Sequence, residues 1–179
     1  NDKFTHHDAP KRPKKLICDI YHVKSKGVDY TVLVGLMDEK PYEIFTLEGI
    51  LAKGLKKGQL IKRSKGQYEL ETYEVIDENL GIVHIDSDIA SNMTDEQEAL
   101  TRLTSTALRH GANVSFVVEQ LNKTHGDLTS FSKVMSRCLK HYITDGTKST
   151  VKCSECGSTE VIFEEGCKRC MSCGHSACG

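Results

Sequence analysis

The 179-residue sequence predicts an α+β chain, an antiparallel β unit followed by a small three-helix unit and a C-terminal cysteine-held ribbon. Short runs rich in Ile, Val and Tyr alternate with turn residues between Leu16 and Ile85. Apolar residues then recur at helical spacing from Ala99 to Tyr142. Finally, six of the eight cysteines crowd into the stretch from Cys153 to Cys178.

The first 15 residues hold two of the three prolines and five basic side chains, with no periodicity, and read as an extended basic arm. His6 and His7 have no third metal ligand at useful spacing. Strand candidates are Leu16–Lys24 and Tyr30–Met37, turning at Lys26-Gly27, and then Tyr42–Leu47, a three-stranded meander in which Gly35 marks a bulge or a close approach. Gln59–Arg63 and Gln67–Tyr73 form a hairpin about Ser64-Lys65-Gly66. Gly81–Ile85 is a last short strand. Cys18 sits among apolar neighbours and reads as an inert buried thiol.

Thr94 and Gln97 form a capping box for a first helix carrying Ala99, Leu100, Leu103, Ala107 and Leu108, which Gly111 stops. A second places Val114, Val117, Val118 and Leu121 on one face. The third, after Ser130, aligns Phe131, Val134, Met135, Cys138, Leu139 and Tyr142, so that Cys138 belongs to a packed face. Lys133, Arg137, Lys140 and His141 give that helix a modest basic side, which a helix-turn-helix DNA reader would use. Residues 144–150 are a polar linker.

Formal net charge is −1, with 14 Lys/Arg against 8 Asp/Glu in residues 1–65 and 10 against 17 thereafter. Such a bias permits an acidic or nucleic-acid partner, although a solvated surface is its commoner cause. The basic run Lys53, Lys56, Lys57, Lys62, Arg63 and Lys65 lacks interleaved aromatics and any nucleic-acid motif, so nucleic acid is not the expected partner. No apolar run approaches the ~18 residues of a membrane span, and none near the start reads as a signal peptide. The expectation is a cytoplasmic protein with no membrane partner. Because the sequence begins with Asn1 rather than Met, a processed or excised piece of something longer is also expected.

In a reducing compartment, clustered cysteines are metal ligands or redox thiols rather than structural disulfides. Paired Cys-x-x-Cys units separated by a strand suit a tetrahedral Zn2+ site, each pair clamping two corners from one tight turn. Cys153-Ser-Glu-Cys156-Gly157 and Cys170-Met-Ser-Cys173-Gly174 share Cys-x-x-Cys-Gly, where glycine permits the positive φ of the turn. Cys167-Lys-Arg-Cys170 lacks it. Zinc is therefore assigned to Cys153, Cys156, Cys170 and Cys173, which leaves Cys167 and Cys178 on the two arms of a hairpin. The other assignment uses Cys153, Cys156, Cys167 and Cys170, freeing Cys173 and Cys178. In both, a dithiol that includes Cys178 remains near the chain end, where mobility suits a thiol that must visit two places. Lys168 and Arg169 would favour thiolate at Cys167. The expected organisation is a basic arm over 1–15, a β unit over 16–92, a three-helix unit over 93–146, and a zinc ribbon with a redox tail over 150–179.

Several stretches together resemble one family. They are Asp8-Ala-Pro-Lys-Arg-Pro13 leading into Leu16–His22, Leu108-Arg-His-Gly111 with Phe116-Val-Val-Glu-Gln-Leu121, Gly126-Asp-Leu-Thr-Ser-Phe-Ser-Lys133, and the cysteine array. This combination is similar to the C-terminal region, or separately encoded small companion, of adenosylcobalamin-dependent (class II) ribonucleotide reductases. The resemblance implies electron delivery for deoxyribonucleotide synthesis, in which tail cysteines re-reduce by exchange the disulfide that forms in the active site at each turnover. Its matching positions are Cys178 with Cys167, or with Cys173 as the alternative partner. Its partners would be the catalytic part of the reductase and a dithiol reductant. Adenosylcobalamin is expected in the catalytic part only, so the chain is not expected to be active alone. The rival expectation is a zinc-ribbon nucleic-acid-binding or regulatory protein.

Overall fold

The computed structural model describes residues 8–91, 93–123 and 129–178. His6, His7, Asn92, the Gly126-Asp-Leu part of the quoted stretch and Gly179 lie outside the described residues. The chain divides into two compact units, Asn1–Gly111 and Ala112–Gly179.

The first unit is a six-stranded antiparallel sheet with one helix. Its strands are β1 (Lys15–Ser25), β2 (Val28–Met37), β3 (Lys40–Glu48), β4 (Lys57–Ser64), β5 (Gln67–Asp77) and β6 (Leu80–Asp86). They lie in the order β3-β2-β1-β4-β5-β6. Lys26 and Gly27 both take positive φ, 50° and 79°, in the two-residue turn from β1 to β2. Burial alternates along β1 but is continuous through the middle of β2 and β3, and Cys18, Ile20, Leu33, Phe45, Leu47, Leu60 and Leu70 form one core, joined by Ile89. The sheet curls so far that Phe45 of β3 meets Tyr68 of β5, ring centroids 4.9 Å apart, although three strands separate them in the sheet order.

Gly35 does both things its sequence context suggests. The β2–β3 register shifts at Gly35/Leu36, and a Cβ on Gly35 would lie 2.7 Å from Glu43 Cγ. Glu43 is buried and carries a charge, so it needs a partner. Arg12 supplies it: Nη2 donates to Glu43 Oε1 at 2.7 Å and Nε to Oε2 at 3.0 Å, while Nη2 also reaches the Leu60 carbonyl at 3.2 Å. The Tyr42 hydroxyl donates to the Pro10 carbonyl, and the Lys62 amide to that of Lys14. The basic arm is thus laid on the sheet from Pro10 onwards.

Helix α1 (Asp95–Arg109) begins with the expected capping box, Thr94 Oγ1 accepting from the Gln97 amide and Gln97 Oε1 from the Thr94 amide. Its buried face differs from the expected one. Thr101, Thr104, Ser105 and Leu108 are buried, whereas Ala99 is exposed and Leu103 is 70% exposed. The reason lies in what the helix covers. It packs on β3, an edge strand, and Ser105 Oγ accepts from the Ile44 amide at 3.1 Å and donates to the Ile44 carbonyl at 3.3 Å. A bare edge demands hydroxyls more than methyls. α1 therefore goes with the sheet, not with the later helices. At the opposite edge, the β5–β6 hairpin leaves Tyr73, Val75, Val83 and Ile85 each more than half exposed.

The second unit holds α2 (Val114–Asn122), α3 (Thr129–Leu139) and a 3-10 turn (Lys140–Tyr142), then the strands β7 (Val161–Glu164), β8 (Cys167–Cys170) and β9 (Ser176–Ala177), in the order β7-β8-β9. Asn113 caps α2 through the Ser115 amide. Phe131, Val134, Met135, Cys138 and Leu139 are all buried, as the helical period requires. Residues 146–149 run along β7, with Gly146 donating to Phe163, Phe163 to Thr147 and Ser149 to Val161.

Arg12→Met should destabilise the first unit by about 3–5 kcal/mol, because Glu43 stays buried without its cation. Adding Glu43→Met to the same chain should recover most of the loss, read as the urea midpoint followed by far-UV circular dichroism.

Candidate metal centre and cysteine pair

Two knuckles of the same design face each other across the ribbon. In the first, the Gly157 amide donates to the Cys153 carbonyl at 2.9 Å and Gly157 takes φ +70°. In the second, the Gly174 amide donates to the Cys170 carbonyl at 2.9 Å and Gly174 takes φ +77°. That conformation strains a residue with a Cβ, which is why glycine follows each Cys-x-x-Cys. The Ser158 and Ser172 hydroxyls meet at 2.7 Å between the knuckles, and the Met171 amide donates to the Glu160 carbonyl.

This folding brings Cys153, Cys156, Cys170 and Cys173 together, their sulfurs all within 4.8 Å of one another. Cys153 Sγ lies 3.7 Å from Cys173 Sγ, and Cys156 Sγ 3.6 Å from Cys170 Sγ. Sulfurs held ~2.3 Å from a tetrahedral zinc are ~3.8 Å apart, so the group can hold such an ion. The amides of Cys173 and Ser172 point at Cys170 Sγ and pull that thiol down to about 6. Cys173, which takes the His175 amide but is crowded by the other three sulfurs, is driven up to about 12. Four thiols in so small a volume cannot all ionise unless a cation sits among them.

Cys167 and Cys178 stand apart from this group, joined to each other as a disulfide with Cα atoms 4.5 Å apart. They extend the β8–β9 ladder by one step beyond the pair Lys168 and Ala177. Cys178 is exposed and Cys167 half-buried. Cys173, the alternative partner of Cys178, lies among the four clustered sulfurs. Lys168 and Arg169 are engaged elsewhere: Lys168 Nζ is 5.8 Å from the centroid of the Phe163 ring, and Arg169 donates to Glu164 at 2.9 Å. The two remaining cysteines are inert. Burial, and then the neighbouring Asp19 carboxylate, push the Cys18 thiol up to about 12, and burial does the same for Cys138.

One residue that positions the ribbon escaped the sequence reading. Glu119 of α2 is buried, and accepts from Ser149 Oγ at 2.7 Å, from the Thr150 amide at 3.1 Å and from the Thr150 hydroxyl. Burial raises its carboxyl, but the hydrogen bonds from Thr150 and Ser149 and the Lys168 charge outweigh it and leave the value lowered. Glu119 thereby ties the segment leading into the first knuckle to a helix. Its only signal in the sequence was a carboxylate inside the apolar run Phe116–Leu121.

Comparison with known proteins gives one positive result. A family model described as the NrdJ homologue C-terminal domain matches residues 16–144. The match takes in the sheet, α1, α2 and α3, and ends before Cys153. No curated protein and no solved structure matches the chain.

Metal analysis of the purified chain should give one zinc per molecule, with Cys153→Ser or Cys170→Ser losing most of it and Cys167→Ser none. Glu119 has a lowered folded value, so its contribution is complete above its ordinary 4.5 and is lost as pH falls through the lowered one. Glu119→Gln should therefore destabilise the second unit at neutral pH and flatten its stability profile in that acid window, measured by urea denaturation at a series of pH values.

Proposed function

We propose that the chain, which belongs to the NrdJ homologue C-terminal domain family and is thereby a ribonucleotide reductase-related domain, relays electrons by thiol–disulfide exchange to a catalytic part of such a reductase. The observation that carries this reading is the division of six cysteines into four that can hold a metal and two that form a separate pair, Cys178 of which is exposed. The family match stops short of these cysteines, so their role rests on chemistry and placement.

In the reduced chain, the Cys178 thiolate attacks the disulfide left in the catalytic part and forms a mixed disulfide, releasing one active-site thiolate. Cys167 thiolate then attacks Cys178 Sγ. The second active-site thiol is released, and Cys167 and Cys178 are left oxidised, two electrons and two protons having passed to the catalytic part. A dithiol protein restores the pair by the same exchange. Cys178 is suited to the outward attack because it is exposed, and Cys167 to the resolving one because it is held in β8.

A zinc ion on Cys153, Cys156, Cys170 and Cys173 would hold the ribbon rigid and keep those four thiols out of the exchange. Adenosylcobalamin would act in the catalytic part, which would also hold the substrate. The first unit and helices α2 and α3 would serve to dock the ribbon. The exchange calls for a reducing compartment, the cytoplasm. Among the described residues, no helix is long and apolar enough to cross a membrane.

Mixing the chain with the catalytic polypeptide tests the reading. Cys178→Ser and Cys167→Ser should each abolish multiple turnovers driven by a dithiol protein, while a single turnover of the pre-reduced enzyme survives. Undiminished multiple turnover by Cys178→Ser would remove the relay role.

A further inference from the structure

We propose that the open end of the curled sheet in the first unit is a binding site for a small phosphorylated molecule. A cavity of about 280 Å³ lies there, between the sheet and α1. One wall is the inward face of the hairpin β4–β5, where Lys62 pairs in register with Tyr68, continuing the row of Leu60 and Leu70 that fills the core. Phe45 backs Tyr68, and α1 closes the other side with Arg102 and Arg109. The mouth of a curled sheet is a usual place for a ligand, because the strands end there while the side-chain layer is still concave.

The charge at this mouth is not balanced from within. Both carboxylates in the lining are already paired, Glu43 with Arg12 at 2.7 Å and Glu98 with Arg102 at 2.7 Å. Among the described residues, Lys62, Lys65 and Arg109 make no ion pair, although Arg109 also stacks over the Tyr42 ring, 5.5 Å from its centroid, so three cationic residues line one cavity without a carboxylate partner. Arg12 also lies over the Tyr68 ring, 5.4 Å from its centroid, and Lys62 Nζ lies 5.9 Å from the same point. Burial, and then Glu43, raise the Tyr68 hydroxyl, opposed by the charges of Arg12, Arg109 and Arg102. A phosphate dianion is the ligand chemistry that several clustered cations and an Arg fork match.

Two features favour a small molecule over a polymer. The cationic residues line one recess rather than a track, and its volume lies just under that of small-molecule sites, which run from about 300 Å³ upwards. The sequence contributed half of this site as the basic run that ends at Lys62, Arg63 and Lys65, where the aromatic partner was missing. Tyr68 and the two α1 arginines supply the rest through folding. The site is independent of the cysteines and of the relay reading.

The test is to titrate the full chain with pyrophosphate, against potassium chloride at matched ionic strength, following backbone amide shifts by NMR. Saturable shifts centred on Lys62, Lys65, Gly66, Tyr68 and Arg109 are expected. Lys62→Met and Lys65→Met should each weaken binding by about tenfold, the effect of one charge-assisted contact. Lys26→Met, in the β1–β2 turn, should change nothing. Lys62 and Lys65 are exposed, so these variants are expected to keep the parent's thermal midpoint. Unsaturable shifts, or equal loss in Lys26→Met, would overturn the site as bulk charge attraction. A short single-stranded DNA that binds more tightly than pyrophosphate and also moves the Lys53, Lys56 and Lys57 amides would overturn it in favour of a nucleic-acid track.

Discussion

Four cysteine sulfurs in one small volume are the constraint around which the C-terminal ribbon is built. The buried cluster beside them contains Cys153, Val161 and Cys170, too little apolar surface to order a segment of this length. What can hold the knuckles is instead the pull of thiolates on backbone amides and on a cation that the four sulfurs could share, a pull that exists only when all four arrive together. Gly157 and Gly174 are the backbone condition for their arrival. Residues 146–149 and Glu119 are the mechanical one, because they fix where the first knuckle begins.

The first unit solves a different problem, a sheet with two edges. At β3 the edge is closed by a helix whose Ser105 answers both groups of Ile44, at the expense of leaving Leu103 in solvent. At β6 no described residue of this unit covers the hairpin, and Tyr73, Val75, Val83 and Ile85 stay exposed. Between the edges, strong curling brings β3 back towards β4 and β5, and Arg12 fastens the seam through Glu43 and the Leu60 carbonyl.

Strand positions were legible because each strand is a short run rich in Ile, Val and Tyr between turn residues, and the positive φ of Lys26-Gly27 and Gly66 is what those turns need. The Thr94 capping box was legible for the same reason, as a contact three residues long. Long-range choices were not. The partners Arg12 and Glu43 are 31 residues apart, Ser105 and Ile44 are 61 apart, and Glu119 and Ser149 are 30 apart. In each case a polar group serves a backbone or charge that only folding brings near, so hydrophobic spacing pointed elsewhere. On α1 it selected Leu103 in place of Thr101, Thr104 and Ser105. In the ribbon, cysteine spacing was informative because the ligand atoms belong to local turns. The four sulfurs that cluster are those of the two Cys-x-x-Cys-Gly units.

The disulfide between Cys167 and Cys178 spans 11 residues, and the second knuckle, Cys170 to Cys173, lies wholly inside that span. Closing a loop of this size removes about 3 kcal/mol of conformational freedom from the disordered chain. The oxidised pair therefore acts as a girdle around Cys170 and Cys173, two of the four clustered cysteines, and reduction loosens that girdle. The pair thus restrains the second knuckle by topology alone, although neither of its sulfurs belongs to the cluster.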